Sequence, residues 1–108
     1  MAEKQDPKVT AFIETSLPRL RRTFRSLRAV IFGSRARGDA LSTSDLDVIL
    51  VSPTFGSIPF LKRAVAVLEA LDYPAGLELL CYTPEEFAAK RDEYGIVRVA
   101  LEEGISVS

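Results

Sequence analysis

The sequence contains no histidine and no tryptophan, and only one cysteine among its 108 residues. Without histidine, the chain cannot use a Ser-His-Asp or Cys-His catalytic arrangement, imidazole acid–base catalysis or a histidine-ligated metal. The single cysteine, Cys81, excludes an internal disulfide and a zinc site built from cysteines. Any catalysis must therefore depend on carboxylates, hydroxyl groups, cationic side chains and bound metal ions.

Long hydrophobic runs are also missing, and the first residues are polar, so the sequence predicts neither a membrane span nor a secretory signal. The hydrophobic fraction of 47% and the net charge of −1 do not fit a disordered chain. A length of 108 residues is typical of one compact domain, which we expect to cover residues 1–108. We therefore expect a soluble cytoplasmic protein.

The charges are unevenly distributed along the chain. Residues 1–38 carry a net charge of +6, and residues 39–108 carry −7. Seven arginines lie between Arg19 and Arg37, and such a cluster can bind phosphate groups or nucleic acid. A solvated helix face is the alternative for the part from Arg19 to Arg28. The pattern does not predict sequence-specific nucleic-acid binding.

The hydrophobic pattern predicts helices that alternate with short strands. Helices are expected over residues 8–25, 58–72 and 94–103, and another after Thr83, which would be the N-cap in a capping box closed by Glu86. Pro18 must interrupt the first helix, unless it lies in the first turn of a second helix capped by Ser16. In the helix over 58–72, the apolar side chains that share one stripe are Ile58, Leu61, Val65, Leu68 and Leu71.

Strands are expected over residues 27–32, 45–51 and 77–82, with a possible edge strand in the final "ISVS". A polar loop, 33–44, separates the first two strands. This alternation predicts an α/β or α+β fold in which helices flank a small mixed sheet.

Gly33 and Ser34 directly follow the first predicted strand. Glycine lets the backbone turn sharply and come close to a ligand. If a helical turn follows, its free N–H groups face an anion, with the Ser34 hydroxyl and the Arg35 and Arg37 cations beside them. The alternative is an ordinary turn.

Asp45 and Asp47 lie at the start of the second predicted strand. Side chains two residues apart in a strand point to the same side, so both aspartates are expected on one side of the sheet. Their carboxylates would repel each other unless a cation lies between them, and hard oxygen ligands suit Mg²⁺ or Mn²⁺. The alternative is a pair of solvated aspartates at a frayed strand end.

Glu78 is flanked by apolar residues in the third predicted strand. An unpaired buried charge is costly, so Glu78 either faces solvent or has a cationic partner. If this strand lies beside 45–51, Glu78 completes a cluster of three carboxylates. Such a cluster can hold two metal ions for phosphoryl or nucleotidyl transfer.

The segment "GSRARGDALSTSDLDVILV", residues 33–51, resembles the signature of the nucleotidyltransferase superfamily related to DNA polymerase β. The form "FGSRARG…SDLD" is most similar to the minimal nucleotidyltransferases of bacteria and archaea. The resemblance extends over about residues 10–105 and implies the polymerase β-like fold.

The resemblance also implies roles for individual residues. Gly33 and Ser34 match the pair that holds the nucleotide triphosphate, and Asp45 and Asp47 match the two metal-binding aspartates. Glu78 falls where the family's third carboxylate, usually an aspartate, binds metal or acts as the general base. Among the other nucleotide-binding candidates, Arg37 matches the "ARG" of the motif and Ser44 precedes the first aspartate. For Arg37, a structural pairing with Asp39 or a neighbouring carboxylate is the alternative.

By resemblance, the chain would transfer a nucleoside monophosphate, AMP above all, from an NTP to an acceptor hydroxyl with the help of two Mg²⁺ ions. Relatives of this size adenylylate a HEPN toxin and so act as its antitoxin, which would make a HEPN-type partner the acceptor. A homo-oligomer is compatible with this reading. One alternative is a non-catalytic antitoxin or nucleotide-binding module; another is transfer to a small molecule such as an aminoglycoside.

Overall fold

Six helices and four strands are found in residues 6–107, the part of the chain that the computed structural model describes. The helices are α1 (Pro7–Ala11), α2 (Leu17–Thr23), α3 (Ser34–Arg37), α4 (Phe60–Ala70), α5 (Pro84–Arg91) and α6 (Ile96–Glu103). The strands are β1 (Arg28–Phe32), β2 (Leu46–Val51), β3 (Leu77–Tyr82) and β4 (Ile105–Val107). A π-helical turn, Phe12–Ser16, joins α1 to α2, and a 3₁₀ turn, Pro53–Ser57, follows β2. Within these residues, every helix is too short or too polar to cross a membrane.

The four strands form one mixed sheet in the order β3-β2-β1-β4. β1 pairs antiparallel with β2 and β4, whereas β2 and β3 are parallel. β2, one of the two inner strands, is covered on both faces, which explains its continuous apolar run from Val48 to Val51. The predicted mixed α/β fold is therefore confirmed, and the predicted edge strand is β4.

Helices cover both faces of the sheet. The larger core lies between one face and α1, α2 and α4, and includes Leu17, Leu20, Val48, Leu50 and Val67. The smaller core lies between the other face and α5 and α6, and includes Ile49, Val51, Phe87, Val97 and Ala100. Successive residues of β2 alternate between these cores, as a strand requires. Asp47 lies on the face of the smaller core, where the helices leave one end of the sheet open.

The N-terminal helical segment continues through Pro18 because the turn before it is widened. Leu17 N–H donates to the Phe12 carbonyl, five residues earlier, instead of the residue four earlier. A π-helical turn of this kind relieves the steric conflict between a proline ring and the preceding turn. Pro18 lies in the first turn of α2, as one of the two alternatives expected, but Ser16 does not cap that helix: it has helical backbone angles and its side chain makes no capping hydrogen bond.

The apolar stripe predicted over 58–72 is only partly buried: Leu71 belongs to the larger core and Ile58 packs against it. Leu61 is 89% exposed and Val65 is 48% exposed, whereas Arg63 and Val67 are buried. The spacing was counted from Ile58, which lies before the helix in an extended conformation. The helix also rotates so that Arg63 points inward, because its guanidinium finds acceptors inside the protein. An apolar face of α4 therefore remains exposed.

Arg63 joins α4 to β3 and α5. Its guanidinium donates to the carbonyls of Ile58 (2.9 Å) and Cys81 (3.2 Å) and to the Glu86 carboxylate (2.6 Å). Glu86 also closes the predicted capping box with Thr83 at the start of α5, which is confirmed. Burial raises the pKa of the Cys81 thiol to about 12, so this side chain packs as a small apolar group.

Replacement of Gly104 by alanine is expected to destabilise the fold by about 3 kcal/mol. A Cβ atom there would collide with the carbonyl oxygens of Ala100 and Ile31, and backbone atoms cannot rotate away. A decrease in the midpoint of urea unfolding would measure this loss.

Gly95→Ala is the matched control at the other end of α6, since a Cβ there meets no atom within 4 Å. We expect it to change stability by no more than about 0.5 kcal/mol. Equal midpoints for the two variants would contradict the packing argument.

Candidate active site

The strand directions bring three separate segments to one edge of the sheet. β1 ends where β2 begins because the two are antiparallel, and β3 begins at the same edge because it is parallel to β2. The register aligns Phe32 with Asp47 and Asp47 with Glu78. Residues paired in this way lie about 5 Å apart on one face of the sheet. The predicted meeting of Asp47 and Glu78 thus follows from the strand pairing.

The carboxyl group of Asp45, just before β2, lies near those of Asp47 and Glu78. The pKa of Glu78 is raised, first by a hydrogen bond and charge repulsion from Asp47 and then, more weakly, by Asp45. Such effects require side chains in close proximity. Glu78 is nevertheless exposed, so it lies on the solvent side of the sheet and belongs to the cluster at the same time. The structure therefore groups the three predicted carboxylates around one open surface.

The donor set of this cluster fits a hard divalent cation. Carboxylate oxygens suit Mg²⁺ and Mn²⁺, and the mutual repulsion of three carboxylates is relieved by positive charge. Among residues 6–107, however, no group of three or more acidic, cysteine or histidine side chains is placed so that it could hold a metal ion by itself. Mg²⁺ usually keeps several waters and is held by one or two carboxylates together with substrate phosphates. An open carboxylate group suits that mode of binding better than a closed cage does.

Gly33 forms the turn between β1 and α3 and lies against the carboxylate cluster. Its backbone angles, φ 77° and ψ −160°, belong to a region that essentially only glycine adopts. A Cβ atom at this position would overlap the Asp47 carboxylate and approach its Cγ to 3.2 Å. Glycine is therefore required both for the turn and for the space that Asp47 occupies.

Ser34 begins the short helix α3, which confirms that a helical turn follows the glycine. The first N–H groups of a helix have no carbonyl partner within it and are oriented toward the turn. The Ser34 carbonyl accepts from Gly38 N–H at 2.9 Å and Asp39 N–H at 3.1 Å, which closes the helix. Half-buried Ser34 thus directly follows the glycine that lies against the Asp47 carboxylate.

The two arginines of α3 differ in environment. Arg35 was expected beside a bound anion, but its buried guanidinium is bound instead to the Asp6 carboxylate and to the Ser44 carbonyl. Arg37 is about half exposed, and its guanidinium lies 3.3 Å from Asp39 and 4.0 Å from Glu103. Exposed ion pairs of this kind contribute little stability and exchange readily.

Ser44 orders the loop that precedes the cluster. Its hydroxyl accepts from Leu41 N–H at 3.0 Å, and its own N–H donates to the Leu41 carbonyl at 3.0 Å. The side chain of Ser44 is thus used within the turn. This contact accounts for a serine at that position without a nucleotide.

An open cavity of about 530 Å³ begins at the carboxylates and extends along the sheet toward α6. Asp47 and Glu78 form its polar end, and the remaining wall is apolar: Phe32, Leu79, Leu80 and Ile96. Sequence reasoning missed this wall. Strand alternation could have placed Phe32 and Leu80 near the site, whereas nothing in the local sequence indicates that Ile96 packs there.

Two comparisons with known proteins bear on this site. A family model described as a nucleotidyltransferase domain matches residues 13–107. A crystal structure from Sulfolobus solfataricus, described as that of a candidate nucleotidyltransferase, aligns with a TM-score of 0.55 at 23% sequence identity. The alignment covers 82% of this chain and 85% of that chain, and the likeness concerns the fold. No curated protein matches the chain significantly.

Proposed function

We propose a specific reaction for this chain, which belongs to the nucleotidyltransferase domain family. It transfers a nucleoside monophosphate, most simply AMP from ATP, to an acceptor hydroxyl and releases pyrophosphate. The observation that carries the proposal is the grouping of Asp45, Asp47 and Glu78 beside the Gly33 turn. In this proposal, residues 1–108 act as one nucleotidyltransferase domain in the cytoplasm.

Each part of the site has a task in this reaction. Gly33 and Ser34 hold the triphosphate, because the turn lets the backbone come close and the first N–H groups of α3 are available. Asp45, Asp47 and Glu78 would hold two Mg²⁺ ions, or Mn²⁺ in their place. When bound, these ions supply charge neutralisation for the phosphates and lower the proton affinity of the acceptor hydroxyl.

Glu78 takes the proton of the acceptor hydroxyl, whose oxygen then forms a bond to the α-phosphorus. The bond between that phosphorus and the bridging oxygen of the β-phosphate breaks, and its electrons leave with pyrophosphate. Arg37 can reach a phosphate only by exchanging its exposed partner Asp39. Ser44 supports the site through the loop.

We further propose that the acceptor is a protein, of the HEPN type that the family resemblance implies. Support comes from the apolar side chains around the cavity: Ile96 lines it, and Tyr94 and Val99 are exposed on and next to the same helix. Exposed apolar groups around a polar site are typical of protein-docking surfaces. In this proposal the chain acts as the antitoxin of a two-protein pair.

Incubation with α-³²P-labelled ATP, Mg²⁺ and the product of the adjacent gene tests the function. Label is expected on the partner protein, because the α-phosphorus moves with the nucleoside. A parallel reaction with γ-³²P-labelled ATP should label only pyrophosphate and leave the partner unlabelled. Label from the γ-phosphate on the partner would instead indicate phosphoryl transfer and contradict the proposal.

Other outcomes separate the alternatives. Tight partner binding with no label from any of the four NTPs favours a non-catalytic binding module. Label on a small molecule such as an aminoglycoside, with none on the partner, shows that the acceptor assignment is wrong and the reaction type is right.

Glu78→Gln is expected to lower kcat by at least ~10²-fold, because the neutral amide neither accepts the proton nor binds a cation. Glu85→Gln, at an exposed position of α5, is the matched control and should keep wild-type rates. Pyrophosphate release measures both. Activity of Glu78→Gln close to that of the control would show that Glu78 is an ordinary surface residue.

A further inference from the structure

Arg35 is the most fully engaged polar side chain near the site. It is only 8% exposed, although it lies on a four-residue helix at the edge of the sheet. Its guanidinium makes five hydrogen bonds, the same number as its N–H groups. A guanidinium in this state has no donor left for a nucleotide phosphate.

Three of these hydrogen bonds go to the loop that leads to Asp45. The acceptors are the backbone carbonyls of Leu41 (3.2 Å), Ser42 (3.1 Å) and Ser44 (2.9 Å). The Ser44 carbonyl belongs to the peptide unit that immediately precedes Asp45. On the other side of Asp45, Leu46 N–H donates to the Gly76 carbonyl at 2.8 Å. The backbone of Asp45 is thus fixed from both directions.

The other two hydrogen bonds go to Asp6, whose carboxylate lies 2.9 Å from the guanidinium and is itself largely buried. The same carboxylate caps α1 by accepting from Lys8 N–H at 2.8 Å. A buried arginine needs such a counter-charge. Asp6 therefore holds the charge of Arg35 inside the protein and ties the loop to the first helix.

We propose that Arg35 is a positioning residue, which holds the 41–44 loop so that the Asp45 carboxylate stays directed at Asp47 and Glu78. The inference rests on the proposed function in one respect, namely that Asp45 binds a cation. Arg35 itself touches neither nucleotide nor cation. Its role depends on the planar fork of the guanidinium, which bonds several carbonyls at once and which lysine cannot replace.

Arg35→Lys tests this role because it keeps the charge and removes the fork. We expect Mn²⁺ affinity, measured by electron paramagnetic resonance of the protein with Mn²⁺ alone, to fall ~10-fold, as for other residues that orient metal ligands. Hydrogen exchange should accelerate at the amides of Leu41 and Ser44 and stay unchanged in β2. In the transfer assay, kcat should fall more than the KM for ATP changes.

Arg19→Lys is the matched control, since Arg19 makes an ion pair of the same length, 2.9 Å, with Asp72 on the exposed surface. It should leave Mn²⁺ affinity, loop exchange and transfer unchanged. If Arg35→Lys behaves in the same way, or lowers only the global stability, the positioning role is wrong.

Asp6→Asn keeps the proposal testable if Arg35→Lys does not fold. The amide oxygen can still cap α1, while Arg35 loses its counter-charge, so a smaller acceleration of loop exchange and a smaller loss of Mn²⁺ affinity are expected. Wild-type loop exchange and Mn²⁺ affinity in this variant would contradict the proposal.

The two proposals can fail separately. Wild-type protein that binds Mn²⁺ and responds to Arg35→Lys, yet transfers no nucleotide, refutes the proposed function and supports the positioning role. Transfer that is insensitive to Arg35→Lys, together with unchanged Mn²⁺ affinity, refutes the positioning role alone. If the wild-type protein binds no Mn²⁺, the proposal that Arg35 positions Asp45 as a cation ligand is wrong.

Discussion

Asp47→Asn is expected to reduce nucleotidyl transfer by at least ~10²–10³-fold while the protein remains fully folded. Asparagine has nearly the same shape as aspartate, but its side chain carries no charge with which to bind a divalent cation. Asp47 lies in register with Glu78 on β3 and against the Gly33 turn, so its carboxylate is the centre of the proposed site.

The stability of this variant is as informative as its activity. Removing one of three mutually repelling carboxylates lowers the electrostatic cost of the cluster, so the free energy of unfolding without metal should be unchanged or slightly higher. Urea unfolding in a chelating buffer measures this quantity, and release of pyrophosphate measures the activity. Such an opposite response of activity and stability is typical of functional residues.

Asp72→Asn is the control for this experiment, because Asp72 is an exposed aspartate that pairs with the surface residue Arg19 and lies outside the carboxylate cluster. It should retain wild-type transfer. Unchanged transfer by Asp47→Asn as well would exclude Asp47 as a cation ligand, and with it the reaction scheme.

Gly33→Ala is expected to reduce transfer about as much as Asp47→Asn does. Here the cause is a displaced carboxylate and not a missing charge, and the protein also loses stability. The backbone at this turn is in a region that costs other residues about 1–3 kcal/mol. The new methyl group would also occupy the position of an Asp47 carboxylate oxygen, which must move. The variant should therefore bind Mn²⁺ weakly and unfold at a lower urea concentration.

Gly38→Ala separates strain from steric conflict. Gly38 also has a positive φ, 86°, yet a Cβ there meets no atom within 4 Å. The Gly38→Ala variant should lose about 1 kcal/mol of stability and keep most of the transfer activity.

The double variant Gly33→Ala/Asp47→Asn should transfer no more slowly than the worse single variant, since both substitutions act on one carboxylate. Multiplicative losses would show that Gly33 acts on something other than Asp47.

The strands could be predicted from the sequence because each is a short apolar run with polar boundaries. Residues 77–82 were predicted and observed with the same limits, β1 and β2 each begin one residue later than predicted, and β4 begins at the predicted residue. The capping box of α5 was also predictable, since Thr83 and Glu86 interact locally. Such local signals need no knowledge of tertiary structure.

The inward orientation of Arg63 and Arg35 could not be predicted. Composition places arginine on the surface, and the exception depends on carbonyl acceptors that only tertiary folding brings together. Residues distant in sequence supply those acceptors, such as Cys81 for Arg63 and Asp6 for Arg35. For the same reason the exposed apolar face of α4 and the Ile96 wall of the cavity were not foreseen.

The candidate site was largely predictable because its residues alternate along strands. Asp45 and Asp47 are separated by one residue, which predicts a common side for both if the strand includes them. In the structure β2 begins at Leu46, so alternation applies to Asp47, and Asp45 lies just before the strand. The contribution of Glu78 required the additional assumption that β3 lies beside β2. The parallel register supplies that contact.

This parallel pairing has a consequence for how the protein folds. β1 and β2 are joined by a loop and one helical turn, whereas β2 and β3 can pair only after α4 has closed a much longer stretch of chain. Longer closure costs more entropy and slows the formation of contacts distant in sequence. The Gly33 turn and the two aspartates should therefore come together early in refolding, while Glu78 arrives later. Recovery of cation binding after dilution from denaturant would then lag behind formation of the β1–β2 pair.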